Sequence, residues 1–290
     1  MTIGRALASA VLCCCAAAAR PGFAAAQTPP NLPPTPAHVA LTQAQQYLQV
    51  TDAVDARALW VNPAGLSRSS EASIGLDFTA ADSLSGVRVR QYGALIASHA
   101  IAAGWEHDDL PGGTSGNTFA VGAGLGSERL GVGGTRRWYR GPGVNAGTWE
   151  IGAHLHTVPA LDLAAIWRNI GSPTVRDSIL EETLIAGAAL DIVGRVRASA
   201  DWQLATSGFV TRRVRVGFSV LAGRGVLVSA LSDLSSNSAN RAFTVVIQLN
   251  GAKGRVTAFA RDPGPPEAAS SYGVSLLSVS EPHAGHAPRH

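Results

Sequence analysis

The chain has 290 residues, of which 46% are hydrophobic, only 15% are charged and 32 are glycine; a water-soluble domain usually has about a quarter of its residues charged. Its net charge of +3 comes from dispersed arginines with no basic run, so nothing tracks a phosphate backbone and a nucleic-acid partner is excluded. Cys13, Cys14 and Cys15 are the three cysteines and all sit in one N-terminal apolar stretch, so the rest of the chain has no disulfide, thiolate nucleophile or cysteine-ligated metal.

Residues 1–26 read as a signal peptide: Arg5, an apolar stretch over 6–19, then Ala24, Ala25 and Ala26 before Gln27. The stretch is shorter than the roughly 20 residues of a spanning helix, and no later apolar run is long enough to be one. Export without a spanning helix leaves a soluble periplasmic β-protein or an outer-membrane barrel. Residues 27–37 are a Pro-rich linker, and 38–70 form an N-terminal segment, with one or two helical turns expected over 38–57, that carries Trp60 and the turn Asn62-Pro63-Ala64-Gly65 and that the resemblance described below implies is plug-like. Pro63 fixes its own φ and pushes Asn62 to an extended conformation, while Gly65 is free to take a left-handed turn.

From 71 to 280 the pattern has period two, and it predicts an all-β chain. Strands are expected near 73–80, 87–97, 99–107, 117–125, 129–139, 148–157, 160–169, 180–192, 195–205, 212–221, 224–233, 240–249, 255–262 and 271–279. Most are longer than the 5–6 residues typical of soluble sheets and match the roughly 9–11 of a tilted membrane strand. Tight turns alternate with longer loops, and Trp105, Trp138, Trp149, Trp167 and Trp202 fall near expected strand ends, where an interfacial girdle sits. The expected fold is a transmembrane antiparallel up-and-down β-barrel of about fourteen strands, apolar outside and polar inside, closed by a tail (281–290) that reads as disordered.

The polar faces put Glu150, His154 and His156 on one strand, Arg195, Arg197 and Asp201 on another, and Arg213 and Arg215 on the next, all expected in the lumen. The arginines suit either a positive wall that attracts anions or internal pairing with Asp162, Asp191 and Asp201. His154 and His156 with Ser219 sketch a hydrolase pair, but no nucleophile motif supports it and no catalytic residue is assigned. His107, Asp108 and Asp109 read as a solvated loop rather than a cation site, and the Gly122/Gly124/Gly126 run lies on a strand with no helix after it, unlike a dinucleotide site. His283, His286 and His290 lie in the Pro/Gly tail. No metal and no cofactor are expected.

Asp52, Asp55, Ala56, Ala58, Trp60, Asn62, Pro63, Ala64, Gly65 and Leu66, set just before the first expected strand, resemble the long-chain fatty acid outer-membrane transporter superfamily, which includes FadL/TodX-type channels and PorV-like secretion barrels. The resemblance implies fourteen strands, an N-terminal segment in the lumen, an outer-membrane location among its lipids, and passive passage of small hydrophobic or amphipathic solutes. Two departures stand against transport: the chain is short for a hydrophobic-compound transporter, and it does not end on the aromatic residue common in such barrels. A non-transporting structural or interaction barrel of an envelope or secretion assembly is the second reading, and a soluble periplasmic β-protein the third.

Overall fold

The computed structural model describes residues 46–69, 72–83, 86–109, 115–158, 160–175, 178–192, 194–235, 241–251, 253–263 and 270–280, all within the compact unit Pro36–His290. The expected signal peptide, the linker, residues 38–45 and the tail with His283, His286 and His290 lie outside the described residues.

Alternation of side chains produces the strands. β1 (Ser73–Ser83), β2 (Gly86–Ser98), β3 (Ile101–Asp109), β4 (Ser115–Gly126), β5 (Leu130–Gly141), β6 (Val144–Val158) and β7 (Leu161–Ile170) run up and down in sequence. A small hairpin follows, β8 (Thr174–Val175) with β9 (Ser178–Ile179). The wall then resumes with β10 (Thr183–Ile192), β11 (Val196–Ala205), β12 (Val210–Leu221), β13 (Val226–Ser235), β14 (Arg241–Gly251), β15 (Gly254–Asp262) and β16 (Ser271–Val279). Each wall strand pairs antiparallel with its neighbours, β7 pairs with β10, and β1 closes on β16 through Ile74↔Ser278 to Ala81↔Ser271. The result is a closed fourteen-strand barrel with no free sheet edge.

Its polarity is the inverse of a soluble core. Inward Thr135 and Thr148 are 0% exposed, whereas outward Ile74 and Leu125 are 59% and 75% exposed. On β1, Ile74, Leu76 and Phe78 face out. A continuous apolar exterior over polar inner faces is what a bilayer requires of a barrel.

The two ends differ. Connections 99–100, 127–129, 159–160, 193–195, 222–225 and 252–253 have two to four residues, whereas those at the other end reach twelve, at 171–182. Most outward aromatics, including Phe119, Trp149, Trp167, Trp202, Phe243 and Tyr272, lie in the half next to the longer loops, so the girdle marks one end. Trp105 sits in the middle of β3 rather than at a strand end.

Candidate functional site

Residues 46–69 lie inside the barrel. After Tyr47 and the buried backbone around Val50, a short helix, α1 (Ala58–Val61), leads to a 3-10 helix, η1 (Pro63–Arg68). Asn62 is extended, at φ −155° and ψ 105°, as a residue before proline must be, and its Oδ1 accepts from the Ala64 N–H at 3.1 Å as the N-cap of η1. The Asn62 amide donates to the carbonyls of Val50 and of Ala153 on β6, both at 3.2 Å. Gly65 corrects the expected left-handed turn, because it sits within a helical run and is absent from the positive-φ residues. It is glycine for a different reason: a Cβ there would overlap the Ala53 carbonyl.

The wall is shaped to receive this segment. A Cβ on Gly104 would stand 2.7 Å from Trp60 Cζ2, and one on Gly122 2.9 Å from Leu59 Cδ1. On Gly124, Gly131, Gly133 and Gly152 it would overlap Ser67, Leu66, Pro63 or Asn62. These inward glycines on β3 to β6 form one seat for residues 59–67. Ala53, Ala56, Ala58, Leu59, Trp60 and Leu66 complete an apolar cluster with Leu95, Ala97, Ala102, Ala120 and Leu277 of the wall.

The inward arginines are committed to this filling. Arg137 (β5) and Arg168 (β7) both donate to the Trp60 carbonyl, at 2.9 and 3.2 Å, and Arg168 also donates to that of Val61. They satisfy carbonyls that a helix C-terminus leaves open. Arg137 also pairs with Glu150 at 2.8 Å, and its guanidinium lies 5.1 Å from the Trp60 ring centroid. Arg215 grips Asp233 at 2.5 Å and the Leu48 carbonyl at 3.1 Å. Arg213 and Arg261 reach the same Asp233, at 3.8 and 2.7 Å. Arg197 joins Asp162, Asp191 and the plug's Asp52, at 2.9, 3.0 and 3.5 Å. Asp201 accepts the Val50 N–H at 3.1 Å. Internal pairing therefore holds for Arg197 with Asp162 and Asp191 as expected, whereas Arg213 and Arg215 pair with Asp233 instead of the expected carboxylates, and Asp201 takes a backbone N–H.

Other expected residues separate. Arg195 is exposed in the β10–β11 turn, because Gly194 at φ 67° reverses the chain and the strand begins one residue later, at Val196. His154 Nε2 meets Arg68 at 3.2 Å, His156 meets Asp162 at 2.6 Å, and Ser219 bonds Ser229 at 2.8 Å, so the sketched hydrolase pair is not assembled. His107, Asp108 and Asp109 end β3 rather than form a loop. Asp108 points inward to Gln91 at 2.7 Å while His107 turns toward Asn117 and Asp109, so the two carboxylates do not converge on a cation.

The plug's titratable groups record its environment. Burial pushes the Tyr47 phenol up to about 12. Burial also raises the Asp52 carboxyl against the pull of Arg197. Burial works upward at Asp55 too, but Arg57 and Arg255, both within hydrogen-bond distance, hold its carboxyl below the usual range. At the long-loop end Val175 and Leu180 bury against Tyr139. Between plug and wall, beside Tyr47, Trp60, Gln91, Glu106 and Phe259, there remains a cavity of about 20 Å³, room for about one water.

Sequence reading missed Arg137, Arg168 and Asp233, although strand parity carries the signal: in "TRRWYR" adjacent Arg136 and Arg137 must face opposite sides.

No family model and no curated protein matches the chain. Among solved structures it is similar to the CymD monoaromatic hydrocarbon channel, with 10% identity over 80% of this chain and 94% of that one at a TM-score of 0.53. It is also similar to a TodX deltaS2S3 mutant monoaromatic hydrocarbon channel, with 12% identity over 77% and 93% at 0.51. The Acinetobacter baumannii outer membrane protein Omp33 is more distant, with 11% identity over 72% and 97% at 0.49. At such identities the likeness is one of fold: the chain has the closed β-barrel of outer-membrane channels.

Proposed function

We propose that this protein is an outer-membrane channel for small hydrophobic or amphipathic solutes, held closed by residues 46–69. The observation that carries the reading is a lipid-compatible barrel that holds its own N-terminal segment inside it, with a cavity of about 20 Å³ beside that segment lined partly by Tyr47, Trp60 and Phe259. An organic solute does not fit that cavity, so on this reading passage beside Tyr47 and Trp60 requires the plug to shift. Tyr47, Trp60 and Phe259 in the lining suit an apolar solute, and Asp77, Gln91 and Glu106 beside them suit an amphipathic one, in keeping with the Asn-Pro-Ala-Gly resemblance and with the hydrocarbon channels that share the fold. The short-turn end, where β1 starts and β16 finishes, is assigned to the periplasm, and the signal peptide to export.

The glycine seat favours a second reading, a permanently plugged barrel that serves an envelope assembly. Liposome entry of a small neutral aromatic solute, set against a sugar of similar mass, separates the two. Selective entry of the aromatic supports the channel. Entry of neither, with a folded barrel, supports the assembly barrel.

A further inference from the structure

The outer wall of a membrane barrel is expected to be apolar, and most outward positions here are. Arg136 on β5 is a full charge among them. Its neighbour Arg137 turns inward to Glu150, so the doublet is split between the two faces. Arg136 stands opposite Trp149 of β6, and Trp138 opposite Gly147. The guanidinium lies 5.9 Å from the Trp138 ring centroid and 5.2 Å from that of Trp149. It reaches over Gly147, where an added Cβ would stand 2.8 Å from Nη2. The arginine therefore runs from its own level toward the long-loop end, across a gap that only glycine leaves open. Among the described residues no carboxylate pairs with it; it lies against the two rings and over the glycine.

We propose that Arg136, clamped by Trp138 and Trp149 over Gly147, binds the phosphate of a membrane-lipid headgroup in the leaflet on the long-loop side. An outward arginine is costly at mid-bilayer and nearly free at the interface, which its long stem can reach. The outward aromatics concentrate in this half of the barrel, the level at which headgroups begin. Rings set against a guanidinium restrict its motion while its edge N–H groups keep the planar fork that suits a phosphate. Arg140, exposed two outward positions further along β5, adds a second cation at the same rim. Outward Phe119, Val121 and Ile151 surround the clamp with the apolar surface an acyl chain needs and a free phosphate does not. The occupant is therefore a lipid.

The test uses the full chain refolded in neutral detergent and titrated with phosphatidic acid, phosphatidylcholine or inorganic phosphate, bound lipid being counted by native mass spectrometry. Faster electrophoretic migration of the unboiled sample verifies the barrel. Phosphatidic acid is expected to bind the intact protein about tenfold or more tightly than it binds Arg136→Gln, with inorganic phosphate unable to displace it. Equal affinity in the variant, or full displacement by inorganic phosphate, overturns the proposal. If Arg136→Gln does not give the fast-migrating band, Arg136→Lys replaces it: several-fold weaker binding is expected because a lysine lacks the fork, and undiminished binding overturns the site. Neither result depends on solute passage, so the channel reading stands or falls separately.

Discussion

One methyl group at Gly152 is enough to disturb the plug. Its Cβ would overlap Asn62 Oδ1, the atom that caps η1, whereas a Cβ on outward Gly134 would meet nothing nearer than the Glu150 carbonyl at 3.7 Å. Gly152→Ala is therefore expected to cost about 1–3 kcal/mol, as overpacking does, while Gly134→Ala is near neutral. A cysteine placed at half-buried Val54 reports the effect, since alkylation should be faster in the Gly152→Ala background and unchanged with Gly134→Ala. The sequence marks the polar faces as rich in glycine, but nothing in one chain reveals that those glycines make room for a segment 44 to 90 residues earlier. Parity located Glu150, His154, Asp201 and Arg215 on buried inner positions, and it failed at Arg195 because a turn, not a strand, holds that residue.

Among the elements, the plug's two halves are attached differently. Residues 59–67 sit in the glycine seat with neutral carbonyls held by Arg137 and Arg168, while 47–56 carry the plug's own carboxylate ties, Asp52 to Arg197 and Asp55 to Arg255, beside the Val50 N–H bond to Asp201. Asp55, with a lowered pKa in the docked state, contributes stability above its undocked value, about 3.9, that is lost as pH falls through the docked value. Asp52, with a raised pKa, has the opposite sign: its charge weakens docking as pH rises from the undocked value through the docked one. Mild acidification toward pH 5 is thus expected not to loosen the plug, and loosening should begin only below about pH 4. Alkylation of the Val54 probe across pH 3–7, corrected for thiol reactivity on an unfolded control, checks this. Release between pH 5 and 6 counts against the assigned roles of Asp52 and Asp55.

The strands were the legible elements, because each has one wet and one dry face and so repeats every two residues over nine to fifteen positions. Ends shifted by a few residues where hairpins extend past the wall, as in β6, which starts at Val144 rather than near 148. The β8–β9 hairpin escaped notice because two-residue strands have no period to read. The Asn-Pro-Ala-Gly element is a turn, closed by the Gly65 N–H on the Asn62 carbonyl at 3.0 Å, and it continues as a 3-10 helix because Asn62 caps and Pro63 opens it.

For the whole molecule, period two alone does not say which face is dry. A sandwich and a membrane barrel share the pattern, and closure of β1 on β16 with Ile74, Leu125 and Ile151 exposed is what separates them. Low charge and strand length pointed to the barrel in advance. The plugged lumen follows from contacts between residues far apart in sequence, such as Arg168 with Val61 and Asn62 with Ala153, which no local pattern encodes.

The central claim, a channel closed by its own N-terminal segment, is tested most directly by planar-bilayer conductance of the full chain beside a chain shortened to begin at Ser67. Each is first verified as a barrel by heat-dependent mobility, and Gly152→Leu stands in if the shortened chain does not fold. The full chain is expected to be silent or to open only briefly, with sustained current once the plug is removed or displaced. A folded but plug-free barrel that passes no current, or a full chain that conducts steadily, contradicts it.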